Sequence, residues 1–185
     1  VWLDDETVIS NIGEKVKLDR YLAQYQFKVK TKIELAEVPQ TYKKYAHLVF
    51  KELKKNYDAT CRIISKINAH TAKKSLPQDE LKKFYFSPEE ELFLQHLSSE
   101  TQIFKLKGKS INTDNENDRQ FVNGGWLEVL CADLMRTMES IRDISVSVAI
   151  YKSTQRAKAS TNQELDVMAM LKQKLLIAEC KTVNW

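Results

Sequence analysis

The stretch that most restricts the fold of this chain is residues 163–182, QELDVMAMLKQKLLIAECKT, which reads as two apolar strands joined by a short turn. Apolar residues occupy both faces of these strands, as is typical of strands inside a sheet. Four charged residues interrupt them: Glu164, Asp166, Glu179 and Lys181. Because buried charges are costly unless they are paired or bound to a metal, we expect these four to form a site.

The register that the turn predicts brings the four charges onto one patch. A two-residue turn at 172–173 places Asp166 opposite Glu179 and Glu164 opposite Lys181. Opposite residues of antiparallel strands point to the same side of the sheet, where two carboxylates repel each other. A divalent cation between them would reverse the sign of that interaction, so the hairpin predicts a metal site.

The donor atoms of such a site indicate its chemistry. Ligation by oxygen favours Mg²⁺ or Mn²⁺ over zinc, and either ion stabilises charge on a phosphoryl oxygen and lowers the pKa of a bound water. Lys181 would orient the attacking water or stabilise the transition state. Glu128, on the flank of the preceding predicted helix, would add a carboxylate. These are the components of a metal-dependent phosphodiesterase.

A simpler alternative is a surface hairpin held by a cross-strand ion pair. It accounts for Glu164 opposite Lys181, but not for Asp166 opposite Glu179 in strands that are apolar on both faces. Metal binding separates the two interpretations, because the ion-paired hairpin needs none.

The composition restricts the class of protein. A chain of 185 residues forms one medium or two small domains. It contains neither a signal-peptide pattern nor an apolar run approaching the ~18 residues of a membrane span. Three cysteines, widely spaced, favour a reducing cytoplasm over a disulfide framework. The net charge of +4 permits nucleic-acid binding, although solvated helix surfaces account for most of the lysines.

Hydrophobic periodicity predicts helices in the first two thirds of the chain. A short helix is expected over 17–27, and two helices over 40–73 with a break at 56–58. Ser87 is the expected N-cap of a further helix, with proline at its first position. A small hairpin should follow in 101–111, and helices followed by a hairpin resemble a winged-helix arrangement.

A long helix and three strands are predicted for the last third. Residues 118–141 predict one amphipathic helix, and 144–153 predict a strand with strict alternation before the charged hairpin. The apolar stripe expected on the helix comprises Leu127, Leu130, Cys131, Leu134, Met138 and Ile141. Trp126 is expected to anchor the core, and the scattered histidines to be packing or surface residues: His47, His70 and His96.

The order of the charged motifs resembles the PD-(D/E)xK nuclease superfamily, which has the restriction-endonuclease-like fold. That superfamily carries a glutamate on a first helix, an aspartate at a strand, and Glu-x-Lys on the next strand. The words around these positions, FVNGGWLE at 121–128, QELDV at 163–167 and IAECKT at 177–182, resemble the CARF-domain nucleases of type III CRISPR defence. The resemblance is strongest over 119–183.

The resemblance implies a role for each charged residue. The implied catalytic set is Glu128, Asp166, Glu179 and Lys181. Asp166 and Glu179 correspond to the metal-binding carboxylates, with Glu128 nearby and the backbone carbonyl of Cys180 as a possible further ligand. Glu164 falls where the family has a glutamate before the aspartate, and it is expected to be a supporting residue.

The resemblance also implies an organisation. The expected fold is α/β, with a restriction-endonuclease-like (PD-(D/E)xK) core after a helical, winged-helix-like domain. Residues 1–34 would be the end of an upstream CARF-like sensor domain and a connector, 35–115 the winged-helix-like linker domain, and 116–185 a C-terminally truncated nuclease core.

The expected function is that of a metal-dependent endonuclease that hydrolyses phosphodiester bonds of DNA or RNA with Mg²⁺ or Mn²⁺. The resemblance implies activation by cyclic oligoadenylate through the absent upstream domain, a cytoplasmic homodimer in antiviral defence, and no membrane association. Two alternatives remain: a ligand-responsive nucleic-acid-binding regulator with a degenerate nuclease core, and a structural or dimerisation module.

Overall fold

The computed structural model describes residues 17–72, 82–152, 163–172 and 174–181. In this part of the chain, no helix has both the length and the apolar character needed to cross a membrane. The elements in chain order are α1 (Leu18–Gln24), β1 (Phe27–Glu34), α2 (Gln40–Lys55), α3 (Tyr57–Thr71), a 3₁₀ turn (Lys82–Phe84), α4 (Pro88–Thr101), β2 (Lys105–Lys107), β3 (Ser110–Asn112), α5 (Glu116–Gln120), a π-helical turn (Phe121–Gly125), α6 (Trp126–Arg136), β4 (Ile141–Lys152), β5 (Gln163–Leu171) and β6 (Lys174–Ala178).

The helix boundaries follow local capping chemistry. Asn56 ends α2 and caps α3, accepting a hydrogen bond from the Ala59 backbone N–H at 3.3 Å. Ser87 and Glu90 form a reciprocal capping box at the start of α4. The predicted break at 56–58 and the predicted Ser87 N-cap are therefore confirmed. Strands β2 and β3 form the predicted small hairpin, with Gly108 at a φ of 59°.

A four-stranded antiparallel sheet has the order β1-β4-β5-β6. One face packs against the helices in the larger core, where α6 contacts both α2 and β4. The other face carries a smaller cluster in which α1 buries Leu18 and Leu22 against Met168 and Met170. The mixed α/β architecture is thus confirmed, and the short helix predicted over 17–27 is α1.

Strand β4 departs from the predicted strict alternation. Ser147 has a φ of 50°, in the left-handed region that non-glycine residues seldom adopt. Val146 lies in the larger core whereas Val148, two residues on, lies in the smaller cluster. Regular pleating would put these two side chains on the same face, so the backbone at Ser147 reverses which residues face the helices. The alternation prediction is wrong at this point.

The predicted long helix over 118–141 is interrupted. A π-helical turn separates α5 from α6. Gly124 within this turn has a φ of 145°, a value that residues other than glycine rarely adopt. The added residue in the turn rotates the following helix, so its buried side carries Trp126, Val129 and Leu130.

The predicted apolar stripe is accordingly wrong in part. Leu134 and Met138 are 40% and 56% exposed, and Ile141 is the first residue of β4. Trp126 is 3% exposed, which confirms it as a core anchor.

The expected division at residues 34 and 115 stays a prediction. Strand β1, from the segment assigned to the sensor exit, pairs with β4 along most of its length. The sheet beside the charged hairpin therefore includes a strand from early in the chain.

Candidate functional site

The charged hairpin has the predicted register. Strands β5 and β6 pair from Leu171 with Lys174 to Val167 with Ala178, which is the register that a two-residue connection predicts. Asp166 and Glu179 are therefore the residues that directly follow the last pair on either strand. Both apolar faces of β5 are covered, with Val167 and Ala169 on the helix side and Met168 and Met170 on the α1 side.

The ladder does not continue to the charged residues. Strand β6 ends at Ala178 and its last pair is Val167 with Ala178, so the predicted strand pairings of Asp166 with Glu179 and of Glu164 with Lys181 are not formed. The Asp166 carboxylate provides a reason, since its Oδ2 accepts a hydrogen bond from the Cys180 backbone N–H at 2.5 Å. Beyond the last strand pair, the Cys180 N–H thus donates to the Asp166 side chain instead of to a backbone carbonyl of β5.

The Lys181 ammonium contacts the carboxylate of Glu179, two residues before it. This hydrogen bond raises the pKa of Lys181, and the negative charge of Asp166 adds to the effect. Both side chains are largely exposed. A cation therefore stands at the open edge of a group of carboxylates.

Glu128 reaches this group from the first turn of α6. Its Oε2 accepts a hydrogen bond from the Ser147 hydroxyl at 2.9 Å, which ties the helix to the irregular point of β4. Burial raises the pKa of Glu128 to about 7, although the Ser147 bond opposes the shift. The negative charges of Asp166, Glu164 and Glu179 raise that pKa further, so the four carboxylates lie close enough to interact.

The predicted residues therefore converge from three elements. Glu128 comes from α6, Glu164 and Asp166 from β5, and Glu179 from the chain after β6. Sequence reasoning missed Ser147, whose role depends on the left-handed backbone of β4 and leaves no signal in the sequence. It also missed that the Cys131 thiol of α6 lies near the Cys180 thiol after β6 and helps to raise the pKa of Cys180.

The donor chemistry of this group fits a hard divalent cation. Four neighbouring carboxylates offer oxygen ligands and an excess of negative charge. Burial raises the pKa of the Cys180 thiol to about 12, so it stays protonated at neutral pH and competes poorly as a ligand. The four carboxylates are therefore the stronger candidates for metal ligands.

The ligands are not assembled in advance. Within residues 17–72, 82–152, 163–172 and 174–181, no three His, Cys, Asp or Glu side chains converge as a coordination shell. The hydrogen bond from Cys180 N–H directs the Asp166 carboxylate, and Lys181 engages Glu179. Binding a cation would require these side chains to turn toward it.

The histidines lie elsewhere. His47 contacts Asp133 at 2.7 Å between α2 and α6, and His70 contacts the Phe84 carbonyl at 3.2 Å. Burial lowers the pKa of His70. Neither residue is near the carboxylate group, in agreement with the packing or surface roles predicted for them.

Comparison with known protein families finds one similarity, in the C-terminal part of the chain. Residues 114–185 match the family described as Card1-like, endonuclease domain. No curated protein sequence gives a significant match.

Two solved structures have the same fold over 88% of this chain. Protein VC1899 from Vibrio cholerae superposes with a TM-score of 0.64 at 19% identity. Can2 from Sulfobacillus thermosulfidooxidans, solved in complex with cyclic tetra-adenylate, superposes with a TM-score of 0.56 at 24% identity. The chain spans 43% and 41% of the length of these proteins. The match of residues 114–185 to the Card1-like endonuclease domain agrees with the resemblance to type III CRISPR-associated nucleases that the sequence shows.

Proposed function

We propose that this chain is part of a metal-dependent endonuclease that hydrolyses phosphodiester bonds of DNA or RNA, with a PD-(D/E)xK core. The observation that carries the proposal is the convergence of Glu128, Glu164, Asp166 and Glu179 beside Lys181. Such an excess of carboxylates destabilises a fold unless a cation or a proton compensates it. The match of residues 114–185 to an endonuclease family supports the same assignment.

Asp166, Glu179 and the Cys180 carbonyl would hold one or two Mg²⁺ or Mn²⁺ ions, with Glu128 as a further ligand. The bound ion would supply charge neutralisation at the phosphate and a water of lowered pKa. The side chains of this chain would contribute proton transfer and contacts to the phosphate. Glu128, with a pKa of about 7, can hold or release a proton at neutral pH.

Lys181 stands at the exposed rim, where its ammonium can contact a non-bridging phosphate oxygen. Its present contact with Glu179 keeps it at that rim without burial. If Glu179 held a cation, the Lys181 ammonium would be free to contact the phosphate. Asp166 keeps the segment 179–181 in place through the Cys180 N–H.

Several features of the whole protein belong to the same proposal. The helices and the β2–β3 hairpin within 35–115 would form a winged-helix-like domain. An upstream CARF-like domain would bind cyclic oligoadenylate and activate cleavage, as the ligand in the Can2 structure suggests. The active form would be a cytoplasmic homodimer.

The test is a cleavage assay with the full-length protein, single- and double-stranded DNA and RNA, Mn²⁺ and cyclic tetra-adenylate. We expect Lys181→Ala to lower the rate by about 10²-fold or more. Lys174→Ala is the matched control, because it removes the same charge from β6 outside the carboxylate group. Equal cleavage by wild type and Lys181→Ala would contradict the proposal.

One observation favours a second candidate function, that of a ligand-responsive nucleic-acid-binding regulator with a degenerate nuclease core. Within the described residues, the carboxylates do not form a metal-coordination shell. That function predicts metal-independent binding of duplex nucleic acid, abolished by changes within 40–110. Calorimetry with Mn²⁺ separates the two, since a degenerate core binds none.

A further inference from the structure

A second charged site lies at the other end of α6. A cleft of about 300 Å³ opens between the end of β1, the start of α2, the end of α6 and the start of β4. Three cationic side chains line it: Lys43, Arg136 and Arg142. None of them belongs to the proposed nuclease machinery.

Lys43 is the informative residue in this cleft. The residue as a whole is only 8% exposed, so its side chain is confined by the protein, and within the described residues its ammonium has no hydrogen-bond or ion-pair partner. The ammonium itself is not one of the buried, unpaired polar atoms of the described residues, so it meets solvent at the cleft. A confined, unpaired cation at the wall of a cleft is available to an anion.

The two carboxylates of the cleft are already engaged. Glu34 lies 3.5 Å from the Lys32 ammonium, and Asp143 accepts a hydrogen bond from the Leu18 backbone N–H. The negative charge of Asp143 also acts on Lys32. The acidic side of the cleft is therefore directed toward Lys32 and α1.

The two arginines have donors to spare. Arg142 is exposed, and Arg136 uses one guanidinium nitrogen at 2.9 Å from Asp133. A guanidinium carries five N–H donors, arranged to match a phosphate or carboxylate. Two such groups beside the Lys43 ammonium can donate to the non-bridging oxygens of a phosphate group.

We propose that this cleft binds a phosphate group of a nucleotide or of a nucleic-acid strand. Lys43 supplies a confined positive charge, and Arg136 and Arg142 supply directed hydrogen bonds. The site is separate from the carboxylate group, because Glu128 and Arg136 lie at opposite ends of α6. It does not depend on the proposed nuclease activity.

The test measures binding in EDTA, so that the metal site takes no part. Inorganic phosphate, adenosine monophosphate and a short single-stranded oligonucleotide are titrated into the full chain, with chloride at equal ionic strength as the reference. We expect Lys43→Met and Arg142→Gln each to weaken phosphate binding by about tenfold. Lys51→Met is the matched control, since it removes an exposed lysine from the same helix.

The probes identify the source of the phosphate. Weakened binding of the oligonucleotide as well assigns the site to a strand phosphate, whereas loss of phosphate and mononucleotide binding alone assigns it to a small nucleotide. If none of the three probes distinguishes either variant from wild type, or if phosphate binds no better than chloride, the proposal is wrong. Arg142→Gln keeps the test valid if Lys43→Met fails to fold, because Arg142 is exposed.

Discussion

The two ends of α6 carry opposite charges in opposite environments. Its first turn presents Glu128 to three other carboxylates, and its last turn presents Arg136 to a cleft lined by Lys43 and Arg142. Both placements agree with the helix dipole, which favours acids at the start and bases at the end. They differ in how their charges are neutralised within the chain: Lys181 lies beside the acids, whereas Arg136 pairs with Asp133 and the carboxylates of the cleft are directed toward Lys32 and α1. Under the two proposals, each end of α6 would bind an ion of opposite sign.

The largest expected effect is on catalysis at the acidic end. Asp166→Asn should lower cleavage by about 10²-fold or more, because a neutral amide binds a divalent cation poorly. Its folding stability should stay near that of wild type, since the amide oxygen can still accept the Cys180 N–H bond. Cleavage assays and urea unfolding measure the two quantities. A large loss of stability in this variant would show that Asp166 is structural.

The next effect concerns the turn that orients α6. Gly124→Ala should lower the free energy of unfolding by about 1–3 kcal/mol, because a φ of 145° strains any residue with a Cβ. Gly125→Ala is the control, since its added Cβ would meet only ordinary contacts, the nearest at 3.5 Å. Urea unfolding of both variants measures the difference. Equal losses would mean that the π-helical turn does not depend on the left-handed residue.

A pH-dependent effect isolates Glu128. Its folded pKa of about 7 exceeds the ordinary value of 4.5, so between these pH values the unfolded state has already lost the proton that the folded state retains. The stability that this proton contributes is full below pH 4.5 and is lost as the pH rises through about 7.

Glu128→Gln removes that dependence. The variant should be more stable than wild type by about 1–2 kcal/mol at pH 8, after allowance for solvent screening, and no more stable at pH 4.5. Urea unfolding across this range gives the difference, and Glu139→Gln, an exposed site, serves as the control. A difference that does not vary with pH would contradict the assigned pKa.

The smallest effect is at the basic end. Arg136→Gln removes a charge from the last turn of α6 and its ion pair with the largely buried Asp133, which keeps its contact with His47, so we expect the free energy of unfolding to fall by about 0.3–1 kcal/mol. The loss should shrink in high salt because the Arg136 side chain is 62% exposed. Thermal unfolding at low and high salt measures it. A salt-independent loss would point to packing rather than charge.

Much of the fold was predictable wherever local chemistry decides it. The two-residue turn expected at 172–173 and the apolar pattern correctly predict the register of β5 and β6. The Ser87 capping box likewise predicts the start of α4. The capping residue at 56 likewise separated two helices with no long-range information.

The remaining features depend on tertiary contacts. The π-helical turn contains two glycines, whose φ values the sequence does not specify. This turn changes which residues of α6 are buried. The left-handed residue at 147 and the hydrogen bond from Cys180 N–H to Asp166 arise where the sheet meets the helix layer. The candidate residues could thus be named from the sequence, whereas their orientation could not.

The position of β1 has a mechanical consequence. Backbone hydrogen bonds join β1 to β4, and the Ser147 hydroxyl joins β4 to Glu128. A displacement of the chain near residue 27 would therefore pass through a single strand before it reaches an acidic side chain of the candidate site.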